Sequence, residues 1–508
     1  MNPAVELRGI AKRFGSVQAN HAVDLVVERG TVHGIIGENG AGKSTLMSIL
    51  HGFYRPDDGE ILVGGRPVAI GSSRDAIALG IEMVHQHFML IDRFTVLENV
   101  MLGAEGGALL GRAERRVRAA LARLSAEYGL AIDPDARVAD LAVGEQQRVE
   151  ILRALFRGAE ILILDEPTAV LTPQEADDLF RVITALRAQG RTVLIITHKL
   201  REVMAITDRV SVMRGGTIVA THETRNTSAG ALGALMIGRQ LAPPPPRPAA
   251  RPGAIVLSAH GLVVTDANGT VRVDGIDLEL RSGEIVGIAG VAGNGQGELL
   301  EALAGMRAPR AGEIRLHGRT IFPGRHFDPA ALRRQGVAHV PEDRLRHGLL
   351  RRQSAAASAI LGYQDDPALR RSGLLSPTAI GAHARDLMHR FDVRPGEPRI
   401  RSALLSGGNQ QKLILAREME REPAVLLVGQ PTRGVDLGGI EAIHRRLLAC
   451  RDAGGAVLVV SVELEEIRAL ADRIVVMSGG RINGVVGADA DERRLGLLMA
   501  GVADPAPA

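Results

Sequence analysis

The feature that most constrains this chain is an internal duplication. The segment GIIGENGAGKSTL, which begins at Gly34, returns in altered form as GIAGVAGNGQGEL from Gly287. Three later pairs follow in the same order, LAVGEQQR with LSGGNQQK, LDEPT with VGQPT, and ITHKLREV with SVELEEI. The offset between the copies drifts only from 253 to 264 residues along the series. Chance similarity does not keep its order in this way, so we predict a duplicated domain.

The length of 508 residues suits two domains of about 250 residues each. Between the copies lies LAPPPPRPAARPG, whose prolines cannot donate backbone hydrogen bonds to a sheet. We therefore predict a first domain at 1–240, a linker at 241–254, a second domain at 255–503 and a disordered tail at 504–508. Within each copy apolar strands precede glycine turns and helical segments, a pattern that predicts an α/β fold with a mainly parallel sheet.

Charge and hydropathy limit the partners of this chain. The formal charge of +3 is small for the length, so nothing requires a nucleic-acid partner. We find neither a secretory signal nor the roughly 18 consecutive apolar residues of a membrane span. If the protein works at a membrane, other chains must do the spanning. The only cysteine, Cys450, excludes an internal disulfide and fits a reducing cytoplasm.

A glycine-rich loop carries the first chemical signal. The segment Gly37–Thr45 matches the phosphate-binding pattern GxxxxGK[ST], between a strand predicted at 32–36 and a helix predicted at 45–50. Its backbone N–H groups and the helix N-terminus suit phosphate oxygens. We predict that Lys43 places its charge on the β- and γ-phosphates of ATP and that Ser44 ligates Mg²⁺. The alternative, an ordinary glycine-rich turn, is disfavoured by the strand–loop–helix context.

Two apolar strands end in further polar side chains. The run ILILDE ends in Asp165 and Glu166, and the strand predicted at 192–196 is followed by His198. One carboxylate is needed to hold Mg²⁺ through water and a second to deprotonate the attacking water. Burying two acids without such a purpose is costly. A lone histidine is more often structural, but the order and spacing here favour a contact with the γ-phosphate.

Together these motifs resemble the ABC ATPase family over nearly the whole chain. Gln86 matches the family's Q-loop, LAVGE from Leu141 its signature, Asp165 and Glu166 its Walker B motif, and His198 its switch histidine. The resemblance implies two tandem P-loop NTPase domains of the α/β class, each with an inserted helical subdomain. It also implies a head-to-tail arrangement, in which the P-loop of one domain faces the signature of the other across ATP.

The resemblance completes the set of expected site residues. LSGGN from Leu405 matches the signature more closely, RGVD resembles the D-loop, and Phe14 resembles the aromatic residue that stacks on adenine, with core packing as its alternative. The catalytic residues expected are Glu166, His198 and Gln86. The Mg²⁺ ligands expected are Ser44, Gln86 and Asp165. The ATP-binding residues expected are Phe14, Gly37, Glu38, Asn39, Gly40, Ala41, Gly42, Lys43, Ser44, Thr45, Ser406, Gly407, Gly408, Asn409 and Asp436.

Every departure from the family pattern falls on one of the two composite sites. The replacements are Gln296 and Gly297 in the P-loop, Gly429 and Gln430 at the Walker B acids, Val462 at the switch histidine, Glu342 at the Q-loop and Ala142 in the facing signature. An amide has no charge for phosphates and cannot act as a general base, and glycine has no hydroxyl for Mg²⁺. Random decay would scatter such changes, so we predict one catalytic and one degenerate site. Nucleotide binding at the degenerate site stays open.

Among dual-domain members of the family, the resemblance favours importers of simple sugars and nucleosides. Repair members carry zinc cysteines or long coiled coils, and translation factors that act on ribosomes carry two competent sites. A soluble dual-domain ABC ATPase that acts on ribosomes is the alternative. The segments His85–Phe88 and Gly429–Arg433 favour nucleosides over sugars. The resemblance implies two transmembrane permease subunits, an extracytoplasmic solute-binding protein and a peripheral position at the cytoplasmic face of the membrane.

Overall fold

The structure is a computed structural model that describes residues 2–15, 17–38, 40–85, 88–103, 110–169, 171–238, 249–291, 293–324, 327–435 and 437–502. The chain divides into two compact units, Met1–Pro244 and Pro245–Ala508. Several predictions fall on residues outside the described ranges: Asn39, Gln86, Asp436, the tail at 504–508 and most of the linker.

The first unit contains two sheets. Its strands are β1 Val5–Phe14, β2 Val17–Val27, β3 Val32–Gly37, β4 Asp58–Val63, β5 Arg66–Val68, β6 Ile81–Val84, β7 Ile161–Asp165, β8 Thr192–Thr197, β9 Arg209–Arg214 and β10 Thr217–Glu223. An antiparallel sheet has the order β2-β1-β4-β5. The second sheet has the order β10-β9-β3-β8-β7-β6 and is parallel except for the pair of β9 and β10.

Helices cover these sheets and form a separate helical region. They are α1 Lys43–Leu50, α2 Ser73–Ala78, α3 Val96–Met101, α4 Leu110–Tyr128, α5 Val143–Phe156, α6 Pro173–Ala188, α7 Leu200–Ile206 and α8 Ala229–Ile237. The buried strands β3, β7 and β8 are almost entirely apolar, as expected for a parallel sheet covered on both faces. Helices α3, α4 and α5 lie between β6 and β7, so the predicted helical insertion is confirmed.

The second unit repeats this plan. Its strands are β11 Ile255–Thr265, β12 Val271–Arg281, β13 Ile285–Ala289, β14 Ala311–Leu316, β15 Arg319–Phe322, β16 Val337–Val340, β17 Arg370–Arg371, β18 Leu374–Leu375, β19 Val425–Gly429, β20 Ala456–Ser461, β21 Arg473–Ser478 and β22 Arg481–Gly487. The antiparallel sheet has the order β12-β11-β14-β15, and the mainly parallel sheet has the order β16-β19-β20-β13-β21-β22. Strands β17 and β18 form a short hairpin with no counterpart in the described part of the first unit.

The helices of the second unit follow the same order. They are α9 Gln296–Leu303, α10 Pro329–Arg334, α11 Ala355–Ala359, α12 Pro377–Arg390, α13 Gly407–Met419, α14 Leu437–Asp452, α15 Leu464–Leu470 and α16 Glu492–Met499. In each unit the buried apolar residues form two clusters, one on each face of the parallel sheet. The predicted motifs lie in loops at the carboxyl ends of the parallel strands, and the packed sheet holds these loops in place.

Candidate nucleotide site

The P-loop of the first unit joins β3 to α1. The helix begins at Lys43, two residues before the predicted start, so Lys43 and Ser44 occupy its first turn. Gly42 adopts a left-handed conformation with φ of 96°, and a Cβ atom there would lie 2.2 Å from the carbonyl oxygen of Ala19. Only glycine fits this position, because both the backbone angle and the close approach exclude a side chain.

The side chain of Lys43 is drawn into the loop. It is 5% exposed, and its Nζ donates hydrogen bonds to the carbonyl oxygens of Gly37 at 2.7 Å and Glu38 at 3.0 Å. Burial lowers the pKa of Lys43, while the carboxylates of Glu166, Asp165 and Glu38 act in the opposite direction. The ammonium group is therefore desolvated and held at the helix N-terminus. A charge-assisted hydrogen bond to a phosphate oxygen is strong in such a place.

Asp165 ends β7 and lies against the first turn of α1. The hydroxyl of Ser44 donates a hydrogen bond to Oδ1 of Asp165 at 3.4 Å. Burial and the adjacent charge of Glu166 raise the pKa of Asp165 to about 6. A hydroxyl and a carboxylate that converge at a phosphate loop are hard oxygen ligands of the kind that Mg²⁺ prefers. The donor set present therefore fits a magnesium ion.

Glu166 and His198 form a second polar pair at the same edge of the sheet. Nδ1 of His198 lies 3.1 Å from Oε1 of Glu166. Burial opposes ionisation of Glu166, but the hydrogen bond from His198 and the charges of His198, Lys43 and Lys199 prevail and lower its pKa. Glu166 also adopts a left-handed φ of 47°. Neighbouring carboxylates with pKa values pushed apart are suited to different roles, and the ionised one can accept a proton.

Phe14 lies at the surface of the first unit rather than in its core. Its side chain is 41% exposed, and its ring meets that of Tyr54 edge to face at 5.0 Å between centroids. Nζ of Lys12 lies 5.6 Å from the centroid of the Phe14 ring. The exposure disfavours core packing and leaves a ring available for stacking on a base.

The two signature loops differ at the cap of the following helix. Ser406 is the N-cap of α13 and accepts a hydrogen bond from Nδ2 of Asn409 at 2.8 Å. Ala142 holds the same position before α5 and makes no side-chain cap. The second glutamine after each signature was not identified in the sequence analysis. Gln147 donates to the carbonyl of Pro167 at 2.6 Å, and Gln411 donates to that of Gln430 at 3.4 Å. The repeated QQ of both copies was the available signal.

In the second unit the backbone of the site is kept while its side chains change. Gly295 has φ of 94°, close to that of Gly42, and Gln430 has φ of 49°, close to that of Glu166. Nε2 of Gln296 donates to the carbonyl of Val291 at 3.0 Å, the bond that Lys43 makes to Glu38. The second loop therefore has the shape of a phosphate loop but lacks its charge.

Two phosphate-type loops, each followed by a helix and flanked by the ends of parallel strands, define a tandem P-loop nucleotide-binding protein. The family model described as ABC transporter matches residues 20–169 and 273–433. The chain belongs to the ABC transporter family and is an ATPase of that family.

Known relatives and structures support this assignment. The chain is 45% identical to the nucleoside import ATP-binding protein NupA of Lactococcus lactis subsp. cremoris, over 98% of this chain and 98% of the relative. It is 44% identical to the glucose import ATP-binding protein TsgD13 of Haloferax volcanii, over 99% of this chain and 96% of the relative. The archaeal ribosome recycling factor aABCE1, solved with the stalk protein aP1, matches with a TM-score of 0.63 and 20% identity, covering 97% of this chain and 92% of that chain. That likeness shows the fold alone.

Proposed function

We propose that this chain is the ATP-hydrolysing subunit of an importer for nucleosides or simple sugars, and that hydrolysis is confined to the first unit. One observation carries the proposal. The first unit holds a phosphate-loop lysine, a hydroxyl–carboxylate pair and a carboxylate–histidine pair at one edge of its sheet, whereas the second unit keeps the loop and replaces all three.

The reaction follows from the contacts in the first unit. Lys43 binds phosphate oxygens, and the ionised Glu166 accepts a proton from the water that attacks the γ-phosphorus. The new P–O bond forms as the bond to the β–γ bridging oxygen breaks, which yields ADP and inorganic phosphate. His198 orients Glu166 and contacts the γ-phosphate. Ser406–Asn409 and Asp436 stay proposed as ATP-binding residues, the role that the family resemblance gives them.

Magnesium fits the proposal through the convergence of Ser44 and Asp165. These two side chains and Gln86 would hold the ion, which supplies charge neutralisation at the β- and γ-phosphates. The residues that bind the triphosphate and accept the proton remain those of the chain itself.

The solute is proposed from likeness. Identities to a nucleoside-importing and a glucose-importing relative are nearly equal, at 45% and 44%, so they do not separate the two classes. The preference for nucleosides rests on the segments His85–Phe88 and Gly429–Arg433 of the sequence. Both relatives are import proteins, which favours a solute importer over a ribosomal factor.

The partners proposed are two membrane-spanning permease subunits and an extracytoplasmic solute-binding protein. In the described ranges, no helix combines the length and the apolar character that crossing a bilayer demands. The likeness to import ATP-binding proteins supports a position at the cytoplasmic face of the membrane, with attachment through the permeases. The residues that follow Gln86, including the exposed Met89 and Ile91, are proposed to transmit the conformational change driven by ATP to the permease subunits.

The test is ATP hydrolysis by the chain assembled with its permease subunits and binding protein, with nucleosides and simple sugars added in turn. Stimulation by a nucleoside is the expected result. Stimulation by a sugar would keep the importer and reverse the choice of solute. An assembled complex that responds to neither would contradict the importer proposal and return attention to the ribosomal alternative.

A further inference from the structure

Five positions of the second unit form what we call the second corner, the counterpart of the phosphate and magnesium corner of the first unit. Its residues are Gln296, Gly297, Glu342, Gly429 and Gln430, at the positions of Lys43, Ser44, Gln86, Asp165 and Glu166. Considered one at a time, each difference removes a group that could bind nucleotide or take part in hydrolysis. The contacts among them show that they fit one another.

Both glycines of the second corner make room for Glu342. A Cβ atom at Gly297 would lie 2.7 Å from Oε2 of Glu342. A Cβ atom at Gly429 would lie 2.8 Å from the backbone nitrogen of Glu342 and 2.8 Å from Cδ2 of Leu300. A Cβ atom does not approach another atom this closely in folded proteins, so a serine and an aspartate like those of the first unit require Glu342 to move.

Gln430 fixes the carboxylate of Glu342 in this place. Its Nε2 donates to Oε1 of Glu342 at 3.3 Å, and its Oε1 accepts from the backbone N–H of Val462 at 3.4 Å. A glutamate at this position, such as Glu166 in the first unit, would set two carboxylates against each other. The buried amide of Gln430 is satisfied at both ends.

The corner opens onto a cavity of about 360 Å³ that is lined by four carboxylates, two arginines and two histidines. Glu298, Glu301 and Asp343 line it together with Glu342. One of its cations, Arg307, is already paired with Glu301 at 2.7 Å. Burial raises the pKa of Glu342; hydrogen bonding from Gln430 and the charge of Arg433 oppose the rise, and the nearby glutamates add to it.

We propose that Glu342 is a specificity-determining residue that excludes nucleotide phosphates from the second unit. Its carboxylate lies beside Gly297, where the first unit carries the Ser44 hydroxyl, so it fills space that a bound nucleotide would need and sets a carboxylate against the phosphate oxygens. The residues of the second corner thus stabilise one another's positions and do not form a nucleotide-binding site. This inference rests on the proposed function, in which the first unit alone hydrolyses ATP.

The first test measures nucleotide binding in the full chain with the first site disabled by Lys43→Ala. Mg·ATP affinity is compared among K43A, K43A/E342Q and K43A/E298Q. Glu298 is the matched control, because it lies in the same cavity and is also a glutamate, but Gln430 holds the carboxylate of Glu342 and not that of Glu298. We expect E342Q to strengthen binding at least about tenfold over K43A, and E298Q to change it much less. Equal affinities for all three, or equal gains from both substitutions, would overturn the proposal.

The second test needs no nucleotide. Gly297 lies in α9 without a left-handed φ, so alanine there should stabilise the helix unless the new methyl group meets Glu342. In the otherwise native chain, we expect G297A to lower the thermal midpoint or leave it unchanged. In the E342A background, we expect G297A to raise the midpoint by about 2 °C relative to E342A alone. The control is G381A in α12, where nothing lies within 4 Å of the added Cβ; it should raise the midpoint in both backgrounds. A gain from G297A independent of residue 342 would overturn the packing argument.

These tests separate this inference from the proposed function. ATP hydrolysis by K43A at the native rate would contradict the proposal that only the first unit hydrolyses ATP. A K43A variant that does not hydrolyse ATP, together with no gain from E342Q, would overturn only the role given to Glu342.

Discussion

The phosphate corners of the two units share a backbone and differ in chemistry. Gly42 and Gly295 have left-handed φ angles of 96° and 94°, and Glu166 and Gln430 have angles of 47° and 49°. A positive φ in a non-glycine residue is strained, and both units retain it at the same place. The two units therefore keep the same backbone at these positions although their side chains differ.

What differs is how charge is balanced. In the first unit buried carboxylates face the buried ammonium of Lys43, a balance that a triphosphate and a metal ion would complete. In the second unit Gln296 is neutral, and the one acid of the corner, Glu342, is held by an amide. A site that binds a highly charged ligand needs uncompensated charge, whereas a structural corner has to be satisfied internally.

The largest expected effect compares the two residues that follow the strand ends. Glu166→Gln removes the proton acceptor and should lower the ATPase rate of the assembled transporter by roughly 10²- to 10⁴-fold. Gln430→Ala should leave the rate nearly unchanged, because its side-chain partners, Glu342 and Val462, both belong to the second unit. Steady-state phosphate release measures both. Equal losses would break the comparison.

Next in size is the contrast between the two P-loop side chains. Lys43→Ala should weaken ATP binding roughly 10- to 100-fold, because a charge-assisted contact to phosphate is lost. Gln296→Ala removes only a hydrogen bond to a backbone carbonyl and should leave the affinity unchanged. Titration calorimetry with Mg·ATP gives both values. A substantial loss in Q296A would show that the second loop binds nucleotide after all.

A smaller effect separates the two signatures. Ser406→Ala should slow hydrolysis by about five- to 100-fold, as expected for the loss of one hydrogen bond to a charged group. Ala142→Ser, which restores a serine to the other signature, should not increase the rate. The same assay of the assembled complex compares them. Faster hydrolysis by A142S would indicate that the second site contributes to turnover.

The smallest effect concerns stability alone. Ala142 is the N-cap of α5 without a side-chain bond, so A142S should stabilise the first unit by about 0.5–1 kcal/mol. Thr172, which caps α6 by accepting from the backbone N–H of Glu175 at 3.2 Å, provides the control. T172A should lower the thermal midpoint while A142S raises it. Opposite signs would contradict the capping assignment.

Much of the site was predictable because it is local in sequence. The loop at Gly37–Thr45 and the carboxylates at the end of β7 are read directly from a strand followed by polar residues. The antiparallel sheets were not predicted, because β1 carries register shifts between Leu7 and Ile10 and again before Lys12, which disrupt the alternation that reveals a strand. The contact of Glu342 with Gly297 joins positions 45 residues apart, and only the fold shows it.

We have proposed that each chain contains one working ATP site. It is tested most directly by counting the ATP molecules retained by Glu166→Gln after incubation with Mg·ATP and rapid removal of free nucleotide. Labelled ATP and protein concentration give the ratio, and K43A/E166Q measures the background. We expect one ATP per chain, reduced to background by K43A. Two ATP molecules per chain, or one that survives Lys43→Ala, would contradict it.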